Sequence, residues 1–259
     1  MNYIFDTHAH YDDEAFDEDR DAIITSLPAN GVGKVCDIGA SVESCHKALE
    51  LAKKYDHFYC ALGVHPEEIQ GLNDESCKWI EENAKSFEKC VAIGEIGLDY
   101  HWEGNSRENQ KKWFEYQLDL ARRVAKPVII HSRDAAKDTA DIMRDMKAGE
   151  IGGVVHCYSY SAEMAREFLD MDFYFGIGGV LTYKNARKTV ETVEYLPLEK
   201  IVLETDCPYL SPVPNRGQRN DSTNIKYVVE KISEIKGISS EEVIRVTCEN
   251  AHRLYRLNF

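Results

Sequence analysis

The sequence predicts an α/β chain folded as a (β/α)8 TIM barrel with one additional C-terminal helix. Short β-rich runs alternate with helix-period segments from end to end. Eight such runs fit within 259 residues, close to the roughly 250 that this barrel uses. Several runs also end in metal-ligand residue types: His8 and His10, Glu95, His131, His156 and Asp206. A closed barrel brings the carboxyl ends of all its strands to one opening. An open doubly wound sheet, the alternative, places its crevice at one switch point and would not gather residues from strands one, four, five, six and eight.

The elements follow in order. Strand one is expected over Tyr3 to Asp6, then a helix with Phe16, Ile23, Ile24 and Leu27 on its apolar face, broken by Pro28-Ala-Asn-Gly31. Strand two spans Val35 to Ile38, with a helix over Val42 to Tyr55. Strand three spans Phe58 to Val64, with a helix over Glu75 to Phe87. Strand four spans Cys90 to Glu95. The helix Ser106 to Ala125 follows, with Trp113, Gln117, Leu120, Ala121 and Val124 on one face. Strand five is Val128 to His131, with a helix over Ala135 to Met146. Strand six is Gly153 to His156, with a helix over Ala162 to Leu169. Strand seven is Phe173 to Ile177, with a helix over Asn185 to Val193. Strand eight is Ile201 to Glu204. Two helices close the chain, Thr223 to Lys236 and Ser240 to Tyr255, and Lys236-Gly-Ile-Ser-Ser-Glu-Glu242 reads as a helix stop and capped restart. No linker, repeat or low-complexity tract interrupts the series, so residues 1–259 read as a single domain.

Composition narrows the class. The chain is 43% hydrophobic and 29% charged, as suits a soluble globule with a full core. Met1-Asn2-Tyr3 enters a strand without a signal peptide, and no run approaches the roughly 18 apolar residues of a membrane span. The eight cysteines are scattered singly with no CxxC pair, which suggests free thiols in a cytoplasmic protein. A net charge of −14 argues against broad charge-driven binding to nucleic acid or anionic membranes. It leaves room for a polyanionic substrate held by a metal and a few local arginines.

Four histidines and two carboxylates are too many ligands for one tetrahedral zinc that also keeps a water. Two divalent ions sharing a carboxylate fit the count. Glu95, from the strand between the two groups, is the expected bridge. His8, His10 and Asp206 would hold one ion, and His131 and His156 the other. Asp206 is the candidate general base, or else a ligand only. Asp6 and Glu204 lie two residues from ligands and either hydrogen-bond the ligating imidazoles or fill the polar barrel end. Arg216 and Arg219, in the loop after strand eight, and Arg133, two residues past a ligand, are candidate phosphate contacts. His65 faces the same mouth as a further substrate contact. Tyr100, His101 and Trp102 either stack on an unpaired base or pack their loop.

These residues carry a family likeness. Phe5-Asp-Thr-His-Ala-His10, Gly63-Val-His-Pro66, Gly94-Glu-Ile-Gly-Leu-Asp-Tyr100, Pro127-Val-Ile-Ile-His-Ser-Arg133, His156-Cys-Tyr-Ser159, Leu203-Glu-Thr-Asp-Cys-Pro-Tyr-Leu210 and Arg216-Gly-Gln-Arg-Asn220 together resemble the TatD family of metal-dependent deoxyribonucleases, among the amidohydrolase-type barrels. The closing Glu249-Asn-Ala-His-Arg-Leu254 is similar too, so the resemblance covers essentially the whole chain. It implies hydrolysis of DNA phosphodiesters, typically from a 3′ end, with a divalent metal such as Mg2+, and it supports Glu95 as the bridge. The chain departs from the family's common pattern at Tyr160, where a glycine is usual, and at Ser222, where a proline is usual. The first is expected to narrow the site; the second is expected to cap the next helix.

The expected function is therefore a metal-dependent nuclease acting on single-stranded or frayed DNA ends. Imidazole-rich ligation suits Zn2+ or Mn2+, whereas the resemblance implies Mg2+. The alternative is hydrolysis of another ester or an amide, including the ester of an aminoacyl-tRNA. A non-catalytic binding protein would have lost ligands, and none of the six is lost. Neither a membrane nor an obligate protein partner is implied.

Overall fold

The computed structural model describes residues 3–258. Its eight strands are β1 (Ile4–Ala9), β2 (Val32–Ile38), β3 (Phe58–Ala61), β4 (Cys90–Asp99), β5 (Val128–Arg133), β6 (Gly153–Val155), β7 (Tyr174–Ile177) and β8 (Ile201–Leu203). They follow one another in the sheet in chain order, and the β1–β2, β3–β4, β4–β5, β5–β6 and β7–β8 pairs run parallel. The helices are α1 (Arg20–Ser26), α2 (Val42–Lys54), α3 (Asp74–Ser86), α4 (Arg107–Val124), α5 (Ala136–Asp145), α6 (Ala162–Leu169), α7 (Arg187–Tyr195), α8 (Ile225–Lys236) and α9 (Ser240–Leu254). Strand–helix alternation with α9 added at the end is the expected (β/α)8 barrel. Parallel strands covered by helices bury both faces, which is why the strands read as nearly continuous apolar runs. Among the described residues no helix is long and apolar enough to cross a membrane. All eight cysteines are unbridged.

The chain divides into two compact units. One contains the residues up to Asp37, Cys157–Arg166 and everything from Tyr174 onward; the other contains Ile38–His156 and Glu167–Phe173. In the first unit the chain leaving β8 runs beside β1. Thr205 and Asp206 N–H donate to the His8 carbonyl at 3.3 and 2.9 Å, and His10 N–H donates to the Cys207 carbonyl at 2.8 Å. Helix α9 packs on β1 and β8. Its Asn250 amide donates to the Leu198 and Ile201 carbonyls, and Tyr255 Oη donates to the Thr7 carbonyl at 2.6 Å. Helix α8 stops at left-handed Gly237, and Ser239 caps α9 by accepting from Glu242 N–H, the stop and restart expected there.

In the second unit β4 is buried along its whole length. Two close approaches need glycine. A Cβ on Gly63 would come within 2.8 Å of the Gly94 backbone, and one on Gly97 would run into the His131 carbonyl. Gly97 also has φ +148°, which side-chain-bearing residues rarely adopt. Gly63 and Gly97 therefore set how closely β4 lies against its neighbours. Gln117 of α4 pairs with both backbone groups of Val64, at 2.8 and 3.0 Å.

Several bounds differ from expectation. Strand β1 runs on to Ala9, and β5 to Arg133; β4 continues four residues past Glu95 because its distal half pairs with β5. Helix α1 starts only at Arg20, preceded by a 3-10 turn over Glu14–Phe16. On α4 the fully buried aromatic is Phe114, while Trp113 is half-buried. Ser222 does not cap α8. Asp221 caps a 3-10 turn over Ser222–Asn224 instead, and Ser222 Oγ donates to Asp6 at 2.6 Å.

Candidate metal centre

In the first unit His8 and His10 lie two residues apart at the end of β1. Alternate residues of an extended chain share a side. Their Nε2 atoms are accordingly 3.1 Å apart, and Asp206 Oδ1 lies 3.6 Å from one and 3.4 Å from the other. Donor atoms bound to a single ion at about 2.1 Å are about 3.0–3.4 Å apart, so this set fits one divalent cation. Asp206 is left-handed (φ +58°), an uncommon state for a non-glycine, and its N–H bond to His8 helps hold it there.

Asp6 supports this corner through the backbone and two hydroxyls. Its carboxylate accepts from the N–H groups of His8 and Thr205, at 3.3 and 3.1 Å, and from Thr205 and Ser222 hydroxyls, both at 2.6 Å. Burial pushes its pKa up to about 7 against the pull of those bonds. Glu204 accepts the Cys157 N–H at 2.6 Å and occupies the space that a Cβ on Gly176 would need. Asp6 thus ties the strand carrying two candidate ligands to the loop carrying the third.

The second unit holds the other set. Glu95 Oε1 is 2.7 Å from His131 Nδ1 and 2.8 Å from His156 Nε2, and those nitrogens are 3.4 Å apart. The far nitrogen of His131, Nε2, lies 2.9 Å from Asp99 Oδ2. Burial works against a charged His131, but the bonds to Asp99 and Glu95 outweigh it and raise its pKa. Burial would likewise raise Asp99; the bonds from His131 and from His101 N–H hold it below the usual carboxylate range. Gln110 clamps the Asp99 backbone, accepting its N–H at 2.9 Å and donating to its carbonyl at 2.8 Å. Asp99 was not among the expected site residues. Its signal was present: Glu95, Gly97 and Asp99 alternate along one strand face.

His65 lies beside this group, its ring 4.2 Å from that of His131 and its Nε2 4.0 Å from Glu95 Oε1. Burial and the neighbouring His131 push its pKa down to about 3, so it is neutral. Glu67 N–H donates to His65 Nδ1 at 3.2 Å, so the ring proton sits on Nε2 and faces Glu95. His65 is therefore arranged as a donor.

The arginines divide. Arg219 makes a two-pronged pair with Asp19, at 2.9 and 2.6 Å, and donates to the Ala15 carbonyl. Arg216 lies 4.4 Å over the Tyr183 ring. Arg133 is exposed and 5.6 Å from the ring of Trp102, itself 52% exposed. In the loop after His156 the left-handed residue is Cys157 (φ +45°), not Tyr160, so a side chain at position 160 meets no backbone restriction. The Tyr160 ring instead packs edge-on against Tyr158.

Residues 5–256 match the family model described as TatD related DNase. The chain belongs to the TatD-related DNase family. It is 42% identical over 255 residues to the uncharacterized metal-dependent hydrolase YabD of Bacillus subtilis, covering 98% of this chain and 100% of that one. It is 32% identical to the uncharacterized metal-dependent hydrolase YcfH of Escherichia coli, over 99% of this chain and 97% of that one. The crystal structure of the Escherichia coli TatD homolog YjjV superposes with a TM-score of 0.92 at 31% identity, over 98% of each chain. This TatD-family chain is accordingly a metal-dependent hydrolase with the (β/α)8 fold, and its two donor sets supply the residue types such a hydrolase needs.

Proposed function

We propose that this TatD-family hydrolase cleaves phosphodiesters at DNA ends, releasing nucleotides from the 3′ end of single-stranded or frayed DNA. The observation that carries this reading is the pair of donor sets, each with its donor atoms within 3.6 Å of one another, in a chain whose family model is that of a DNase. In this reading His8, His10 and Asp206 hold one divalent cation, His131 and His156 hold a second, and Glu95 is shared between them. Mg2+, Mn2+ and Zn2+ all suit a mixed imidazole–carboxylate set. Such ions, when bound, acidify a water and neutralise charge on phosphoryl oxygens.

The protein's own groups do the rest. Asp206 keeps a second carboxylate oxygen with which to orient the attacking water and take its proton. The Nε2–H of His65 donates to a non-bridging phosphate oxygen. Arg133 and Arg216 contact flanking phosphates, whereas the Asp19 pair engages Arg219.

The test is release of mononucleotides from 3′-labelled single-stranded DNA by chelator-stripped protein resupplied with Mg2+, Mn2+ or Zn2+. Asp206→Asn should lower kcat by about 10²- to 10⁴-fold, the usual share of a general base. Undiminished cleavage by Asp206→Asn would remove that role. Absence of metal-stimulated cleavage by the native protein, with deacylation of aminoacyl-tRNA in its place, would replace the phosphodiester reading with the ester one.

A further inference from the structure

The chain carries a net charge of −14, yet two consecutive loops on the ligand side of the first unit are purely basic. From Phe173 to Val190 there are three cations, Lys184, Arg187 and Lys188, and no carboxylate. From Cys207 to Asn220 there are two, Arg216 and Arg219, again with no carboxylate. The loops are fastened together. Tyr183 Oη donates to the Ser211 carbonyl at 3.0 Å, Val213 N–H donates to Thr182 Oγ1 at 2.8 Å, and Arg216 lies on the Tyr183 ring.

Between Ser159, Tyr183 and the start of α7 the first of these loops leaves a cleft of about 620 Å³, lined by Arg187, Lys188 and Glu191. Sites for small ligands are commonly about 300–1,000 Å³, so a nucleotide fits. Arg187 is partly neutralised by Glu191 at 2.7 Å, and Arg219 by Asp19. Lys184, Lys188 and Arg216 form no ion pair with a carboxylate among the described residues. Lys188 on the lining, Lys184 next to the lining residue Tyr183, and Arg216 over the Tyr183 ring give this edge of the cleft a local excess of positive charge in an otherwise acidic protein.

We propose that this cleft is a strand-binding subsite, holding one nucleotide of single-stranded DNA next to the scissile one, with Lys184, Lys188 and Arg216 on its backbone phosphates. The proposal rests on the DNA reading above and extends it to residues outside the metal ligands. It also accounts for how an acidic enzyme holds a polyanion: the contacts are few and confined to the path of one strand. Ser159, after β6, and Val180, three residues past the end of β7, place the cleft at the carboxyl ends of the strands, the side on which the candidate ligands lie.

The test is equilibrium binding of a fluorescein-labelled oligothymidylate to chelator-treated full-length protein, followed by anisotropy across a salt series. Lys184→Glu/Lys188→Glu should weaken binding at least tenfold. It should also flatten the salt dependence of log K by about 1.4, at about 0.7 for each single-strand phosphate that is no longer neutralised. Lys47→Glu/Lys78→Glu makes the same change in net charge on the exposed faces of α2 and α3 and should leave binding within twofold. Equal weakening by both pairs, or by neither, would overturn the subsite. Native protein is assayed in parallel, with metal, on bis(p-nitrophenyl) phosphate and on DNA. Cleavage of DNA with binding insensitive to Lys184→Glu/Lys188→Glu sinks the cleft alone. Cleavage of the small diester without any binding of oligonucleotide removes both the cleft and the DNA substrate. No cleavage of either removes the phosphodiester reading itself.

Discussion

Asp99 illustrates how a single side chain tunes a candidate ligand it does not replace. Its carboxylate takes the Nε2 side of His131 at 2.9 Å, which leaves Nδ1 turned toward Glu95 and His156. A carboxylate behind a ligating imidazole sets its orientation and raises its basicity, and losing such a partner typically costs about 10- to 100-fold in metal affinity. Asp99→Asn should therefore weaken divalent-metal binding by that factor while the fold persists, as read by competition against a fluorescent chelator. Unchanged affinity would show that His131 is held by packing alone. His65 has the opposite character: neutral, with its proton facing the site. His65→Gln keeps a donor and should preserve most activity on a diester, whereas His65→Ala should raise KM several-fold. Equal KM for the two would remove the donor role. The candidate ligands were legible as residue types at strand ends; Asp99 was harder to see because β4 was expected to stop at Glu95.

The seam of β8, β1 and α9 is the element on which the first donor set depends. His8, His10 and Asp206 are brought together by backbone bonds between these strands, and Asp6 fastens them from beneath. Asp6→Ala would leave two backbone N–H groups and two hydroxyls without their acceptor. At about 1–3 kcal/mol for each donor left unsatisfied, with partial relaxation, the loss should be roughly 3–5 kcal/mol. That corresponds to a fall of about 10 °C in Tm for a chain of this length, measurable by calorimetry. A shift under about 2 °C would mean that water replaces the carboxylate. The same seam explains why Ser222 does not act as a helix cap. Its hydroxyl is taken by Asp6, and Tyr11 Oη donates to it at 2.9 Å, a role invisible to local helix rules.

At the level of the whole molecule, metal and charge set the stability and the reach of the enzyme. Ions that bind the folded chain and not the unfolded one add stability by mass action, about 2.7 kcal/mol per site at a hundredfold excess over Kd. Chelator treatment should lower Tm by several degrees, and resupplied Mn2+ or Zn2+ should restore it. A Tm indifferent to both would count against two occupied sites. The acidic surface is expected to keep the chain off anionic vesicles and duplex DNA at physiological salt, which co-sedimentation and filter binding would measure.

The strand–helix alternation, the ligand types and their order along the chain are all readable in the sequence by itself, because periodicity and residue chemistry are local properties. Tertiary structure supplied the rest: Asp99 behind His131, Arg219 engaged by an aspartate 200 positions away, and two basic loops fastened to each other beside a cleft. Each depends on a through-space distance between residues far apart in sequence, set by the packing of the fold and not by any pattern within one element.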